Sequence, residues 1–330
     1  MIDKKVEYAI TSLAFHETKN ILAASSYSTD TVEIFKVENN ALKSEKELTL
    51  KGGNNPLNSL IFTNNFLVCI DDFSKQISKI NYKTNEIVAI FSHEHSRGFE
   101  SIDCLKDFED PLKNLFVLGS KKIHPPTIKK LGLVAEHQNL ENIFLLDNDL
   151  VKIKSTSIPG NVIQTKFNVN KKTILVISKF LNGTTLYVLD FNLNILNKVH
   201  LSNRKSLTAF LEISNNSIFI VLQINQDGIK SEFIKLSADN LKIIESHCYE
   251  DSKFSANIKE YINSIFCYKS YLITELYCRE KDKSELNFYN LLDENLVKKI
   301  DTFGFMESMA FNQNLMAWSE NNKIKVIEIS

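Results

Sequence analysis

The chain has 330 residues, with 39 Lys and Arg against 40 Asp and Glu, so no global positive field favours nucleic acid or an anionic membrane. No apolar run reaches the roughly 18 residues that a membrane-spanning helix needs, and residues 1–5 lead into no apolar signal-peptide core. Five scattered cysteines predict buried thiols in a reducing compartment rather than a disulfide framework. We therefore expect an intracellular protein, cytoplasmic or nuclear.

The first 50 residues contain a unit of four predicted strands. Ile10–Phe15 and Ile21–Ser26 are short apolar runs, and a polar turn separates them. Residues 31–37 alternate strictly between two faces, as a strand does. Residues 42–50 form a charged strand, which suits an outer edge that must avoid pairing with other molecules. Four antiparallel strands with a polar outermost strand predict one blade of a β-propeller.

This unit resembles the WD40 repeat. Gly52-Gly53 stands where that repeat carries Gly-His, Asp30 occupies its turn position, and Phe35 lies near the position of its Trp. The Trp-Asp pair is missing, since Trp318 is the only tryptophan. The resemblance implies a rigid propeller whose partners bind its loops. The first blade is also similar to the opening blade of the checkpoint and mRNA-export propellers of the Bub3 and Rae1 group.

The same unit recurs along the chain at a period of about 47 residues, within the range of propeller repeats. Asn182-Gly183 and Asp227-Gly228 lie at matching turns and are hairpin signals. No long window carries the 3.6-residue period of a helix, which excludes a doubly wound α/β fold. The later units are predicted at 57–92, 99–120, 162–201, 207–247, 261–301 and 306–329.

The last unit contains only three predicted strands, and the N-terminus supplies a candidate fourth. In Lys4–Ala9, Val6 and Tyr8 alternate with charged residues. By the closure known for WD40-like propellers, this strand joins the C-terminal blade. We thus predict an all-β, seven-bladed propeller of four-stranded antiparallel blades, closed by the N-terminal strand and formed by residues 1–330 as one domain.

The third unit is irregular over residues 121–160. Residues 127–134 form a possible third strand, and residues 142–146 and 150–154 form a hairpin around Asp147-Asn148-Asp149. That is one strand more than a blade needs. Either the hairpin is an insertion or the strand count is irregular here.

Candidate chemical sites are few. His93 and His95 have the spacing of two zinc ligands on one strand, but no third ligand is evident, and His95 matches the position of the structural His of a WD40 repeat. Carboxylate pairs at 71–72, 109–110 and 147–149 fall in predicted turns. No phosphate-binding loop and no nucleophile elbow is present. We therefore expect no catalytic residue, no cofactor and no metal. Clustered Met306, Met309, Met316 and Trp318 are predicted core residues of the closing blade.

The densest basic cluster lies between two strands of the third unit. Pro125 and Pro126 stiffen it into an extended form. Such a loop can hold an acidic peptide, although the absence of aromatic residues argues against nucleic-acid stacking. A solvated connection is the alternative. The predicted partner-binding residues are Lys121, Lys122, His124, Lys129 and Lys130.

The sequence favours a non-enzymatic protein-interaction scaffold, or an adaptor subunit of a multiprotein complex. Its expected partners are proteins or peptides, without a direct nucleic-acid ligand. Two alternatives stay open: a propeller enzyme with a site at the channel mouth, and a binder of acidic peptides or nucleic acids through residues 121–130.

Overall fold

The computed structural model describes residues 1–26, 31–50, 57–71, 75–93, 96–106, 113–122, 140–180, 183–204, 206–214, 216–225, 229–249, 260–278, 281–320 and 322–329. These residues form β-strands and turns, and none of them forms an α-helix. The chain divides into two compact units, residues 1–158 with 306–330 and residues 159–305. The prediction of a single domain stays a prediction.

The first unit contains four antiparallel sheets of four strands each, named by their order along the chain. The first sheet is β2 (Ile10–Phe15), β3 (Ile21–Ser26), β4 (Thr31–Glu38) and β5 (Ala41–Thr49). The second is β6 (Leu57–Thr63), β7 (Phe66–Asp71), β8 (Gln76–Asn81) and β9 (Glu86–Ser92). The third is β10 (Ser96–Leu105), β11 (Leu115–Lys122), β12 (Ile143–Leu146) and β13 (Lys152–Thr156). The seventh is β26 (Met309–Asn312), β27 (Leu315–Glu320), β28 (Lys323–Glu328) and β1 (Ile2–Lys5).

The second unit contains the remaining three sheets, which have the same strand order. The fourth sheet is β14 (Asn161–Asn168), β15 (Thr173–Phe180), β16 (Gly183–Asp190) and β17 (Ile195–Ser202). The fifth is β18 (Ser206–Ile213), β19 (Ser217–Asn225), β20 (Ile229–Ser237) and β21 (Ile243–Tyr249). The sixth is β22 (Glu260–Tyr268), β23 (Tyr271–Cys278), β24 (Lys283–Asn290) and β25 (Leu296–Phe303).

The N-terminal strand completes the last sheet, as predicted. β1 pairs antiparallel with β28, and Ile2 lies opposite Val326. The predicted bounds, Lys4–Ala9, were wrong, because the paired residues are Ile2–Lys5. Val6 follows the strand, donates its backbone N–H to Asn322 and is buried in the core between the seventh and first sheets. The alternation of Val6 and Tyr8 therefore reflects core packing rather than strand pairing.

Apolar layers between consecutive sheets form the core within each unit. One joins the seventh and first sheets, one the first and second, and one the second and third. In the second unit, one layer joins the fourth and fifth sheets and another joins the fifth and sixth. The predicted core residues Met306, Met309, Met316 and Trp318 are all buried. This confirms that the closing sheet has an apolar interior.

The third sheet shows whether the hairpin in the irregular segment is an insertion. The hairpin 143–156 supplies its third and fourth strands, and Phe144 of β12 pairs directly with Leu118 of β11. The hairpin is therefore no insertion, and the possible strand at 127–134 lies outside the described residues. The hairpin turn also holds the second sheet, because Lys79 of β8 is buried and donates from Nζ to the Asn148 carbonyl at 2.6 Å.

A β-bulge recurs near the start of the first strand in six of the seven sheets. It falls between Ile10 and Ser12 in the first sheet and between Ile262 and Ser264 in the sixth. The second to fifth sheets carry a register shift at the matching point. Because a bulge bends its strand and increases the local twist, these six sheets acquire the same local feature. This backbone feature marks the repeat more regularly than any side-chain motif.

Candidate functional site: a cleft between the fifth and sixth sheets

A cleft of about 240 Å³ lies between the fifth and sixth sheets, within the second unit. Its lining residues occur at every second position of their strands, so each strand directs one face toward the cleft. The fifth sheet contributes Phe219 from β19, Phe233 and Lys235 from β20, and Glu245 and His247 from β21. The sixth sheet contributes Ile262, Leu272, Thr274, Leu276, Asn287, Tyr289 and Asn290, and the turn after β24 adds Leu291 and Glu294.

The walls of the cleft are mostly apolar. Phe219 and Phe233 lie side by side, with ring centroids 6.2 Å apart and planes tilted by 33°. They face Leu272, Leu276 and Tyr289 across the cleft. These side chains belong to one apolar cluster, and the cleft lies against it.

Charged side chains surround the apolar walls, and they pair with one another. Lys235 pairs with Glu294, and its Nζ lies 5.9 Å from the centre of the Phe219 ring. Glu245 contacts His247 two residues along β21. The turn that carries Glu294 is held by a hydrogen bond from its backbone N–H to the Asn290 carbonyl, 2.8 Å. Lys235 and Glu294 therefore form an ion pair, and Glu245 has a histidine as its neighbour.

Asn287 differs from the other polar residues of the cleft. It is 4% exposed, and its Oδ1 receives no hydrogen bond from any residue that the structure describes. A buried acceptor left in this state costs about 1–3 kcal/mol of folding free energy. The Asn287 side chain also forms a hydrogen bond with Glu285, so its other end is satisfied. Hydrogen bonds from Lys299 and from Asn287 hold the pKa of Glu285 below its ordinary value. The Asn287 Oδ1 is thus a buried acceptor without a donor among the described residues, enclosed by protein rather than open to the cleft.

The basic cluster predicted from the sequence is only partly described. Lys121 lies at the end of β11 and forms an ion pair with Glu100, so its charge is already compensated. Lys122 ends the same strand. His124, Lys129 and Lys130 lie outside the described residues, and the partner-binding role of the cluster stays a prediction.

The candidate metal ligands are not brought together where they are described. His93 packs its ring against Phe144, with centroids 4.7 Å apart, and His95 lies outside the described residues. Across the described ranges, no three His, Cys, Asp or Glu side chains form a group that could hold a metal ion. Asp147 has the structural role expected of a turn residue, because its Oδ1 accepts from the backbone N–H groups of Asp149 and Val151.

The cysteines are free thiols, and four of the five are at least partly buried. Cys248 is exposed, in contrast to the buried environment expected of these residues. Burial raises the pKa of the Cys104 and Cys267 thiols to about 12. Both thiols therefore stay protonated near neutral pH, in the form that is a poor nucleophile.

Sequence reasoning missed the cleft. The two-residue alternation predicted each strand but carries no information about whether neighbouring sheets close against each other. The available signal was the presence of Lys235, Glu245 and Asn287 on strand faces that otherwise pack inward. A buried histidine was missed as well: His16, taken as a turn residue, packs against Phe62 and Tyr82.

Solved structures identify the architecture. The WD40 domain of Neurospora crassa Pan2 matches 98% of this chain and 91% of its own length, at 11% identity and a TM-score of 0.67. The β-propeller domain of Myceliophteria thermophila Cps50 (Swd1) matches all of both chains, at 11% identity and a TM-score of 0.67. The chain has a β-propeller fold. Each of its seven four-stranded sheets is one blade, which confirms the predicted fold class.

The same fold also occurs in a protein named for an enzymatic activity. Hydrazine synthase from Kuenenia stuttgartiensis matches 99% of this chain and 97% of its own length, at 10% identity and a TM-score of 0.70. No protein-family model and no curated protein matches the chain in sequence. Fold likeness alone therefore does not distinguish a scaffold from an enzyme. Among the described residues, no helix is long and apolar enough to cross a membrane.

Proposed function

We propose that this propeller is a non-enzymatic protein-interaction module, an adaptor or scaffold subunit of an intracellular complex. The observation that carries the proposal is the cleft between the fifth and sixth blades. It combines apolar walls with charged side chains around them, which is the composition of a recognition surface for a partner side chain. The likeness to WD40 domains supports the same reading at the level of fold.

The chemistry around the cleft favours binding over catalysis. Neither Glu245 nor Glu294 is left as an isolated carboxylate, because each has a basic partner. A general base has to lie within hydrogen-bond reach of a substrate proton, and both carboxylates here already contact a side chain of the protein. The charged groups are instead placed to exclude water from the apolar walls and to orient a ligand.

Site-specific photo-crosslinking tests this function. A photo-reactive amino acid replaces Glu245, which faces the cleft, in cells that express the protein natively. The matched control carries the same amino acid at Ile244, the neighbouring residue on β21, whose side chain lies on the opposite face and is exposed. We expect a discrete, heavier protein adduct from position 245 and none from position 244.

Two further outcomes are informative. Filling the cleft with Leu276→Trp in the position-245 chain should abolish the adduct, because the partner then has no space to enter. If position 245 gives no protein adduct at all, or gives the same adducts as position 244, the cleft is not an interaction site and the proposed function is wrong.

A further inference from the structure

Most exposed apolar side chains of the second unit lie at one end of its blades. In an antiparallel blade, the turn after the first strand and the turn after the third strand lie at the same end. Of the eleven large apolar side chains that are exposed in the described part of this unit, only Phe180, Leu207 and Phe303 lie at the opposite end. The other eight define a region that we call the apolar end: Val169, Ile195, Leu196, Ile243, Ile244, Leu292, Leu296 and Val297.

The apolar end extends across all three blades of the unit. A cavity of about 660 Å³ is lined by Val169 of the fourth blade, Asn216 of the fifth, and Lys269 and Leu292 of the sixth. Matching turns of neighbouring blades therefore meet around one depression. Val169 and Leu292 line it while they remain 61% and 91% exposed. Single exposed apolar residues are normal, but a group of them marks a surface that contacts another molecule or a membrane.

A bulge exposes the apolar residues of the three outer strands. Each strand begins with two aliphatic residues in succession, and a regular strand would direct them to opposite faces. In β17, β21 and β25 the register shift falls at this pair, so Leu196, Ile244 and Val297 have no residue opposite them on the neighbouring strand. Because a bulge also twists an edge away from strand pairing, these edges present side chains rather than backbone groups to a partner.

Unpaired lysines accompany the apolar side chains. Among the described residues, three exposed lysines in the turns of the apolar end form no ion pair: Lys172, Lys242 and Lys269. Other lysines here are paired, as Lys166–Glu212, Lys171–Asp239 and Lys235–Glu294. The carboxylates of Asp190 and Asp293 accept hydrogen bonds from backbone N–H groups of their own turns. The apolar end therefore carries a local excess of positive charge, although the net charge of the chain is −1.

We propose that the apolar end docks on the surface of an anionic phospholipid bilayer. None of its eight exposed apolar residues is aromatic, and its basic residues are lysines. Protein interfaces are instead enriched in aromatic residues, Met and Arg and depleted in Lys. A lipid surface binds apolar area that enters the interface and lysines that lie near anionic headgroups, which is the combination present here. This inference goes beyond the proposed function and does not depend on an occupant of the cleft.

Vesicle sedimentation with the full chain tests the inference. One set of vesicles contains phosphatidylcholine alone, and the other contains equal parts of phosphatidylcholine and phosphatidylserine. We expect the chain to sediment with the mixed vesicles about fivefold more than with phosphatidylcholine alone, because the unpaired lysines contribute only at an anionic surface. Added salt should reduce this difference, since it screens exposed charges.

Variants assign the binding to the apolar end. Val169→Ser combined with Leu292→Ser should lower binding to the mixed vesicles about tenfold, because less apolar area enters the interface. The matched control is Phe180→Ser, which changes a side chain that is 56% exposed at the opposite end and should leave binding unchanged. All three side chains are exposed, so the variants should keep the melting temperature of the unaltered chain.

A second pair of variants tests the charges. Lys172→Gln and Lys269→Gln should lower binding to the mixed vesicles by about fivefold for each lysine, and should not change binding to phosphatidylcholine alone. The matched control is Lys281→Gln, which lies in the turn between β23 and β24 at the opposite end and should have no effect.

Three outcomes would overturn the inference. If the unaltered chain sediments with neither vesicle, the lipid assignment is wrong, and a protein is then the class of partner for the apolar end. Equal sedimentation with both vesicles means that anionic lipid is not recognised. If Phe180→Ser or Lys281→Gln weakens binding as much as the matching variants do, the apolar end is not the docking surface. The position-245 adduct tests the proposed function separately, because residue 245 faces the cleft.

Discussion

Two junctions between neighbouring blades differ in their packing. Buried apolar side chains fill the junction between the first and second blades, whereas the junction between the fifth and sixth contains the cleft. Ile34 and Leu48 meet Leu67, Cys69 and Ile80 in one continuous aliphatic layer. At the other junction, Lys235, Glu245 and Asn287 occupy inward-facing strand positions. The two junctions therefore differ in the polar residues that line them.

The filled junction also has its own polar arrangement, although the buried His16 Nε2 has no hydrogen-bond partner among the described residues. Lys19 donates from Nζ to the Tyr82 hydroxyl at 3.0 Å, and the Thr18 backbone N–H donates to the His16 Nδ1 at 3.2 Å. The rings of Phe62, His16 and Tyr82 form one cluster, in which the Phe62 centroid lies 5.5 Å from that of His16 and 5.4 Å from that of Tyr82. Polar residues at this junction therefore border the apolar layer, whereas in the cleft they replace part of it.

The largest expected difference between the junctions is in the cost of removing an aromatic ring. Phe62→Ala should destabilise the protein by about 3–5 kcal/mol, since the ring is fully enclosed and the site cannot collapse. Phe219→Ala should cost about 1–3 kcal/mol, because one side of that ring already faces the open cleft. Urea unfolding of both variants measures the difference. Equal losses would mean that the cleft is as well packed as the filled junction.

The junction between the seventh and first blades, which is also filled with apolar side chains, offers a second test. Deleting residues 1–9 removes β1 from the seventh blade and Val6 from the layer between that blade and the first. We expect a loss of about 3 kcal/mol, from a buried side chain and four strand pairings. Thermal melting against the full chain detects it. An unchanged melting temperature would mean that β1 adds nothing to the stability of the last blade.

The filled junction should also respond to pH through His16. Burial, reinforced by Lys19, lowers the pKa of His16 below its ordinary value near 6.5. The unfolded chain therefore binds the proton first, and stability should fall as the pH drops below about 6.5, until folded His16 is itself protonated. Urea midpoints at pH 7.5 and 5.5 measure this loss. His16→Phe should reduce it, whereas Phe62→Leu, which disturbs the same cluster without removing the histidine, should keep it.

The smallest expected effect is a gain at the open junction. Asn287→Leu removes a buried acceptor that has no donor among the described residues, and so should raise stability by up to about 1 kcal/mol. The loss of the hydrogen bond from Asn287 to Glu285 offsets part of the gain. A higher urea midpoint would show that this asparagine is kept at the expense of stability. A clear loss would show that Asn287 is a structural residue.

Much of the fold could be predicted from the sequence because strand alternation and turn residues are local signals. The charged residues 42–50 predicted an exposed outer strand, and β5 is largely exposed. That rule did not extend to all blades: the outer strands β21 and β25 expose Ile243, Ile244, Leu296 and Val297. Exposure there depends on which face the neighbouring blade covers, which alternation alone does not specify.

The candidate site could not be predicted for the same reason. Lys235, Glu245 and Asn287 lie on three strands, far apart in the chain, and only the packing of two blades brings them to one cleft. In the third blade, the prediction of the strand count was uncertain for a different reason. A stretch of chain between β11 and β12 separates the second strand from its partner, so the hairpin 143–156 resembled an addition rather than the completion of the sheet.

The pairing of β1 with β28 has a consequence for how the protein is made. Ile2 is synthesised before the six intervening blades, and its partner Val326 after them. Throughout translation, β1 therefore lacks its own strand partner while the intervening blades form, and unpaired strands invite association with other chains. Two of the four residues of β1 are lysines and one is an aspartate, charges that discourage such pairing while the strand waits. The strand that completes the last blade is thus also the one that has to remain unpaired the longest.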